Sequence, residues 1–161
     1  MRPEICLSFE EITLAMMFIF SFEVYNIIKK MLDDGIIIIL DRYIYSNMAF
    51  QGAKFEEKEK RSEMYKWIDD LEFNFLKLPK PNLTFFLHTP VNVIIKLLEK
   101  REEKPDGNET NKDYLIKAEN SYFELCDLYN FRKIECTQKE QMRSIEEINT
   151  EILKIVKENV L

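Results

Sequence analysis

The sequence predicts an α/β fold in three layers, a parallel β-sheet with helices on both faces. Three observations lead there. First, Ile36-Ile37-Ile38-Ile39-Leu40 sets five branched apolar residues in succession with no polar alternation, as a strand buried on both faces requires. The same signal returns as Leu83 to His88 and, more weakly, as Phe131 to Cys136. Second, the segments between these runs carry apolar residues at spacings of three and four, the period of a helix packed on one side. Third, the order helix, strand, helix, strand, helix, strand, helix fits right-handed crossovers over one sheet. At 161 residues with 46% hydrophobic content, residues 1–161 read as a single domain with its own core.

Each element has a local reason. Ser8 and Glu11 form a capping box opening a helix expected to extend to Leu32, where Asp33-Asp34-Gly35 stops it. A long helix is expected from Glu57 to Leu76, with Tyr65, Trp67, Ile68, Leu71 and Phe75 among its charges. Thr89 caps a helix whose first residue is Pro90, where a missing N–H costs nothing, and which continues to about Arg101. Lys112 to Leu128 has an apolar stripe at Leu115, Ala118, Tyr122, Leu125 and Cys126. A second capping box, Ser144 with Glu147, precedes Ile145, Ile148, Ile152 and Ile155. The polar stretch from Glu102 to Lys112, which contains Pro105 and Gly107, reads as a mobile surface loop within the domain.

Composition narrows the function. Acidic residues outnumber basic ones 29 to 23, a net charge of −6, which argues against a nucleic-acid partner. The three cysteines, Cys6, Cys126 and Cys136, are odd in number and widely spaced, which suggests neither disulfides nor zinc and fits a reducing, cytoplasmic setting. With His88 the single histidine, mechanisms needing two are excluded. The apolar run Leu14 to Phe20 is followed by Ser21, Glu23, Asn26, Lys29 and Lys30. No stretch therefore reaches the roughly 20 apolar residues of a membrane span. Glu4, Glu10 and Glu11 ahead of the run argue against a secretory signal.

Ligands of open parallel sheets gather at the carboxyl ends of strands. Directly after the isoleucine run stand Asp41-Arg42-Tyr43, a carboxylate that could reach a metal through water and a guanidinium suited to phosphate. The same pair could simply bond to each other or cap the next helix. Ser46 to Ala53 then reads as a short helix with small polar groups on one face.

In Asp41-Arg42-Tyr43-x-x-Ser46-Asn47-x-Ala49-Phe50-Gln51-Gly52-Ala53 the chain resembles the Asp-Arg-Tyr signature of thymidylate kinases, which belong to the P-loop nucleoside-monophosphate kinases. The likeness continues through Leu78-Pro79-Lys80-Pro81-Asn82-Leu83, the Pro90 helix ending at Lys100-Arg101, Asn108-Glu109, Tyr114-Leu115, Ser121-Tyr122 and Arg143 to Ile148. It covers roughly Leu7 to Val156. The resemblance implies a P-loop NTPase-like fold and transfer of a phosphoryl group from ATP, with Mg2+, to dTMP, giving dTDP. It implies that Asp41 and Arg42 serve catalysis, Asp41 holding Mg2+ through water, and that Arg42, Ser46, Asn47, Phe50 and Gln51 bind dTMP. Arg101 and Glu109 would serve the donor nucleotide from a lid-like loop at 102–112. A homodimer is expected, with Phe18 and Phe20 on a candidate dimer face.

One departure stands out. Phosphoryl transfer in this class relies on Gly-x-x-x-x-Gly-Lys-Ser/Thr. The three glycines here, Gly35, Gly52 and Gly107, form no such loop. By resemblance Met1 corresponds to a point beyond the family's P-loop and second strand, so the expected fold is N-terminally truncated with about three strands retained. The central gap would be filled by Glu4 to Leu7, by another chain, or by residues encoded upstream. Without the loop, transfer is expected to slow by orders of magnitude. A non-catalytic nucleotide-binding remnant or an interaction protein is the alternative.

Overall fold

The computed structural model describes residues 25–101 and 111–159. The Ser8–Glu11 capping box, the apolar run to Phe20, Glu4 to Leu7, and Asn108 and Glu109 of the expected lid lie outside the described residues. The chain divides into two compact units, one from Met1–Asp41 and Trp67–Lys80, the other from Arg42–Lys66 and Pro81–Leu161.

In the first unit, a helix over residues 25–33 (α1) ends as the sequence predicts. Gly35 takes φ +74, its N–H bonds to Leu32 at 2.9 Å, and the Ile36 N–H reaches back to Met31 at 2.9 Å, together a Schellman cap. The strand expected beyond this cap is corrected: residues 36–40 form no strand, and Ile39 is 91% exposed. Apolar continuity makes a strand only where a neighbouring backbone completes the ladder, and none of the described residues pairs with this run. The expected long helix does form but changes pitch. α3 (Lys58–Asp69), which crosses the division between the units, runs into a π-helical segment, Asp70–Phe75, closed by Leu76 N–H to Leu71 at 2.9 Å. Ile68, Glu72, Phe73 and Leu78 are buried here, and Lys80 pairs with Asp69 at 3.2 Å.

The second unit holds the rest. α2 (Ile44–Gly52) precedes α3; β1 (Phe85–His88), α4 (Val91–Leu98), α5 (Lys112–Tyr129) and β2 (Arg132–Glu135) follow. β1 and β2 pair in parallel, Phe85 opposite Arg132 through His88 opposite Glu135. The described parallel ladder therefore has two strands where about three were expected. α2 and α4 both pack on α5. Met48, Leu125 and Ile134 are almost wholly buried, each burial contributing about 1.5–3 kcal/mol. Tyr45 of α2 packs near Tyr129 and Phe131, with ring centroids 4.7 and 4.9 Å away. This ties α2 to the α5–β2 turn, where Asn130 takes the left-handed conformation.

Two boundaries shift. α4 begins at Val91 with Pro90, not Thr89, in the capping position, and it ends at Leu98, before Arg101. The reason is that Pro90 has ψ 141, an extended value that keeps it outside the helix. The Ser144–Glu147 box forms as expected, with bonds of 3.0 and 3.2 Å in the two directions, and opens α6 (Ile145–Asn159). Between β2 and α6 a small antiparallel hairpin, β3 (Thr137–Gln138) and β4 (Gln141–Met142), adds an unpredicted element. Among the described residues, no helix is long and apolar enough to cross a membrane.

Candidate functional site

Arg42 opens the second unit in a left-handed backbone, φ 66. A non-glycine residue held there costs about 1–3 kcal/mol, and such strain clusters where a side chain must be aimed. Here it sets the guanidinium over the Phe50 ring, 5.5 Å from its centroid. α2 places Ser46, Asn47, Phe50 and Gln51 within two turns of one another, just after that arginine. Ser46 Oγ accepts from the Tyr122 hydroxyl at 3.0 Å, and the Gln51 amide donates to Asn47 Oδ1 at 3.4 Å. The Phe50 backbone carbonyl accepts from the Tyr114 hydroxyl at 2.9 Å, and burial pushes that phenol's pKa up.

An aromatic wall continues from α2 across α5 to β1. Phe50 stacks on Tyr114 with centroids 6.2 Å apart and meets Tyr122 edge-on at 6.2 Å. Tyr122 lies nearly parallel to Phe86, 4.8 Å away at 8°. This wall borders a cleft of about 430 Å³, closed by apolar residues of α4 and by Leu115 and Ala118 of α5. Its polar groups are few: Thr89, His88, Glu119 and, just beyond α4, Arg101. A mostly apolar hollow with a small set of convergent polar groups is the usual form of a small-molecule site.

At the carboxyl end of β1, the His88 ring sits between two carboxylates. Nε2 is 3.0 Å from Glu119 and Nδ1 is 2.6 Å from Glu135. Burial alone would raise the Glu135 carboxyl, but hydrogen bonds from Lys133 and His88 outweigh it and hold the group below its ordinary value. Elsewhere in the unit, burial pushes the Cys126 thiol up to about 11 and the Cys136 thiol upward as well.

The sequence-derived residues thus fare differently. Phe50 and Arg101 border the cleft, Arg42 is stacked on Phe50, and Ser46 is bonded to a tyrosine of the wall. Asn47 and Gln51 are not among the cleft's lining residues. Asp41 is exposed and closes the first stretch of the first unit; Glu109 lies outside the described residues. Sequence reasoning does not single out the His88–Glu119 pair. Position at a strand's carboxyl end could have flagged His88, whereas Glu119 is one acid among several on an amphipathic helix and carries no signal of its own.

A parallel β-pair, helices packed around it, and an aromatic cleft reaching the strand's carboxyl end define an α/β protein whose cleft is a candidate small-molecule site. The thymidylate kinase family model matches residues 7–156, and the chain belongs to the thymidylate kinase family, whose fold is the P-loop NTPase α/β type. It is similar to a probable thymidylate kinase of Metallosphaera sedula, 33% identical over 63% of this chain and 45% of the relative. It is also similar to the thymidylate kinase of Fervidobacterium nodosum, 30% identical over 82% of this chain and 61% of the relative. A probable thymidylate kinase of Saccharolobus solfataricus is 26% identical over 94% of this chain and 70% of the relative. The chain spans between 45% and 61% of the length of the first two.

Proposed function

We propose that this chain forms the acceptor-nucleotide end of a thymidylate kinase, which transfers a phosphoryl group from ATP to dTMP and yields dTDP. The observation that carries the reading is Arg42, aimed by a strained backbone and seated on Phe50 beside an aromatic wall. A guanidinium in that position clamps a monophosphate bidentately, while the rings offer a flat surface to the base and sugar. Phe50, beneath the sugar, would disfavour a 2′-hydroxyl; Ser46, Asn47 and Gln51 extend the same helix toward the nucleotide.

Magnesium would enter with ATP, held chiefly by the donor phosphates. Among the described residues no group of three or more His, Cys, Asp or Glu side chains could hold a metal by itself. Asp41 is exposed and bonded to none of the described residues, which suits a carboxylate reaching the ion through water. Arg101 would open a lid at 102–112, with Glu109 within it. β1 and β2 are read as part of a larger three-layer parallel sheet, and the working unit as a homodimer.

A thermal-shift titration with dTMP, followed by an ADP-release assay with ATP and Mg2+, tests this. Stabilisation by dTMP with ADP release supports the kinase; stabilisation without release reduces it to a nucleotide-binding role. No shift with dTMP refutes the reading.

A further inference from the structure

Among the described residues, Glu119 is the only carboxylate bordering the cleft, in a wall otherwise built mainly of aromatic and aliphatic side chains. Its side chain keeps 21% of its accessible surface. One oxygen is occupied, with Oε1 3.0 Å from His88 Nε2. The other, Oε2, has no partner among the described residues. That oxygen is not among the buried side-chain atoms lacking a partner, so water reaches it and a ligand donor there would take water's place.

Nor is this carboxylate free to swing away. His88 is buried and is held from behind by Glu135 at 2.6 Å, whose second oxygen takes Lys133 at 2.9 Å. Phe86 and Phe123 flank the imidazole at 5.5 and 5.0 Å. The series Lys133–Glu135–His88–Glu119 therefore runs from β2 through β1 to α5 and ends at the cleft on an oxygen that meets no donor among the described residues.

We propose that Glu119 is a specificity-determining residue of this cleft, positioned by His88, whose outer oxygen accepts a hydrogen bond from the uncharged part of a bound nucleoside monophosphate. The inference rests on the nucleotide reading above. The donor is either an imide N–H of the base or a hydroxyl of the sugar. The same negative charge keeps the ligand's phosphate away from this wall and so fixes which way round the nucleotide lies.

Calorimetry on the full chain with dTMP, its N3-methyl analogue and its 3′-deoxy analogue provides the test. The wild type is expected to bind one analogue about 10- to 100-fold more weakly than dTMP, as loss of a hydrogen bond to a charged group predicts. The weaker analogue identifies the donor. Glu119→Ala should lose that preference, and isosteric Glu119→Gln should retain part of it if the alanine variant fails to fold. His88→Gln, which keeps an N–H, should preserve the preference that His88→Ala removes. Because His88 is the single histidine, its ring 15N signals are unambiguous. Glu119→Ala should move the Nε2 signal more than the Nδ1 signal, which a general loss of structure would not do. Unchanged analogue ratios in Glu119→Ala overturn this inference alone; absence of dTMP binding by the wild type overturns it together with the kinase reading.

Discussion

On one face of α5, the Glu124 carboxylate receives two hydrogen bonds from Arg61, at 3.0 and 2.7 Å, and one from the Tyr65 hydroxyl at 3.2 Å. On the opposite face, Leu115, Glu119 and Tyr122 border a cleft. Both faces are polar and aromatic, and the sequence pattern does not distinguish them. They differ in satisfaction: around Glu124 each acceptor oxygen is met within the protein, whereas Glu119 Oε2 meets none of the described residues. The first face fixes the helix, and the second carries an acceptor that no donor among the described residues meets. Substitutions should therefore separate cleanly, those near the cleft changing affinity and those near Glu124 changing stability.

The largest effect is expected at Arg42. Arg42→Ala should weaken dTMP binding about 100-fold, the upper end for a lost charge-assisted contact. It should shift the thermal midpoint little, because the arginine is exposed and its backbone strain is retained. A melting loss without an affinity loss would place Arg42 on the structural side of the comparison.

Gly52 comes next. A Cβ there would stand 2.5 Å from Tyr65 Cε1 and 2.6 Å from its hydroxyl. Tyr65 is buried and tied to Glu124, so it cannot give way cheaply. Gly52→Ala should cost about 1–3 kcal/mol by denaturant titration. It should leave discrimination between nucleotide analogues intact, since the clash falls on the Glu124 side of α5.

A pH series sharpens the same contrast. Arg61's hydrogen bonds, assisted by its charge and by Tyr65, hold the Glu124 carboxyl below its ordinary value against the opposing effect of burial. A depressed carboxyl contributes stability that is present above its unfolded value, about 4.3, and is lost as pH falls through the lower folded value. Glu124→Gln should cost about 1–2 kcal/mol near neutrality. It should also flatten the acid limb of the stability curve below about pH 4. An unchanged acid limb would mean that other carboxylates dominate it.

Much of this could be read from the sequence, for identifiable reasons. Ser144 with Glu147 and Asp34-Gly35 are local devices whose outcome depends on a few neighbouring residues, and both formed. Phe85 to His88 and Arg132 to Glu135 became strands because each completes the other's ladder. The isoleucine run has the strongest strand signal of all, yet it forms no strand among the described residues. Its apolar character says what the segment would bury, whereas pairing depends on a partner that no local pattern supplies. Of the candidate residues that the sequence offered, Phe50 and Arg101 border the cleft and Arg42 lies over Phe50, all three in or beside a recognisable motif. The Glu119 contact with His88 carries no such signal, because it joins residues of two different elements.

The hairpin shows the same limit on a smaller scale and gives the smallest expected effect. β3 and β4 are joined by Lys139 and Glu140, with φ 51 and 60. That is the primed two-residue geometry, which Asn-Gly or Asp-Gly would normally announce. Lysine and glutamate give no such announcement, so the turn is imposed by its surroundings: Arg143 N–H bonds to Cys136 O at 2.9 Å, and the Arg143 guanidinium bonds to Glu135 O at 2.7 Å. The double variant Lys139→Asn, Glu140→Gly relieves two strained positions and should gain about 1 kcal/mol. The Lys96–Glu140 contact it forfeits is 3.4 Å long and exposed on both sides, worth little in water. dTMP affinity should stay at the wild-type value, because the turn borders neither face of α5. A gain in stability accompanied by a change in affinity would show that strain in this hairpin is transmitted through β2 and Glu135 to His88, and that the two faces are coupled after all.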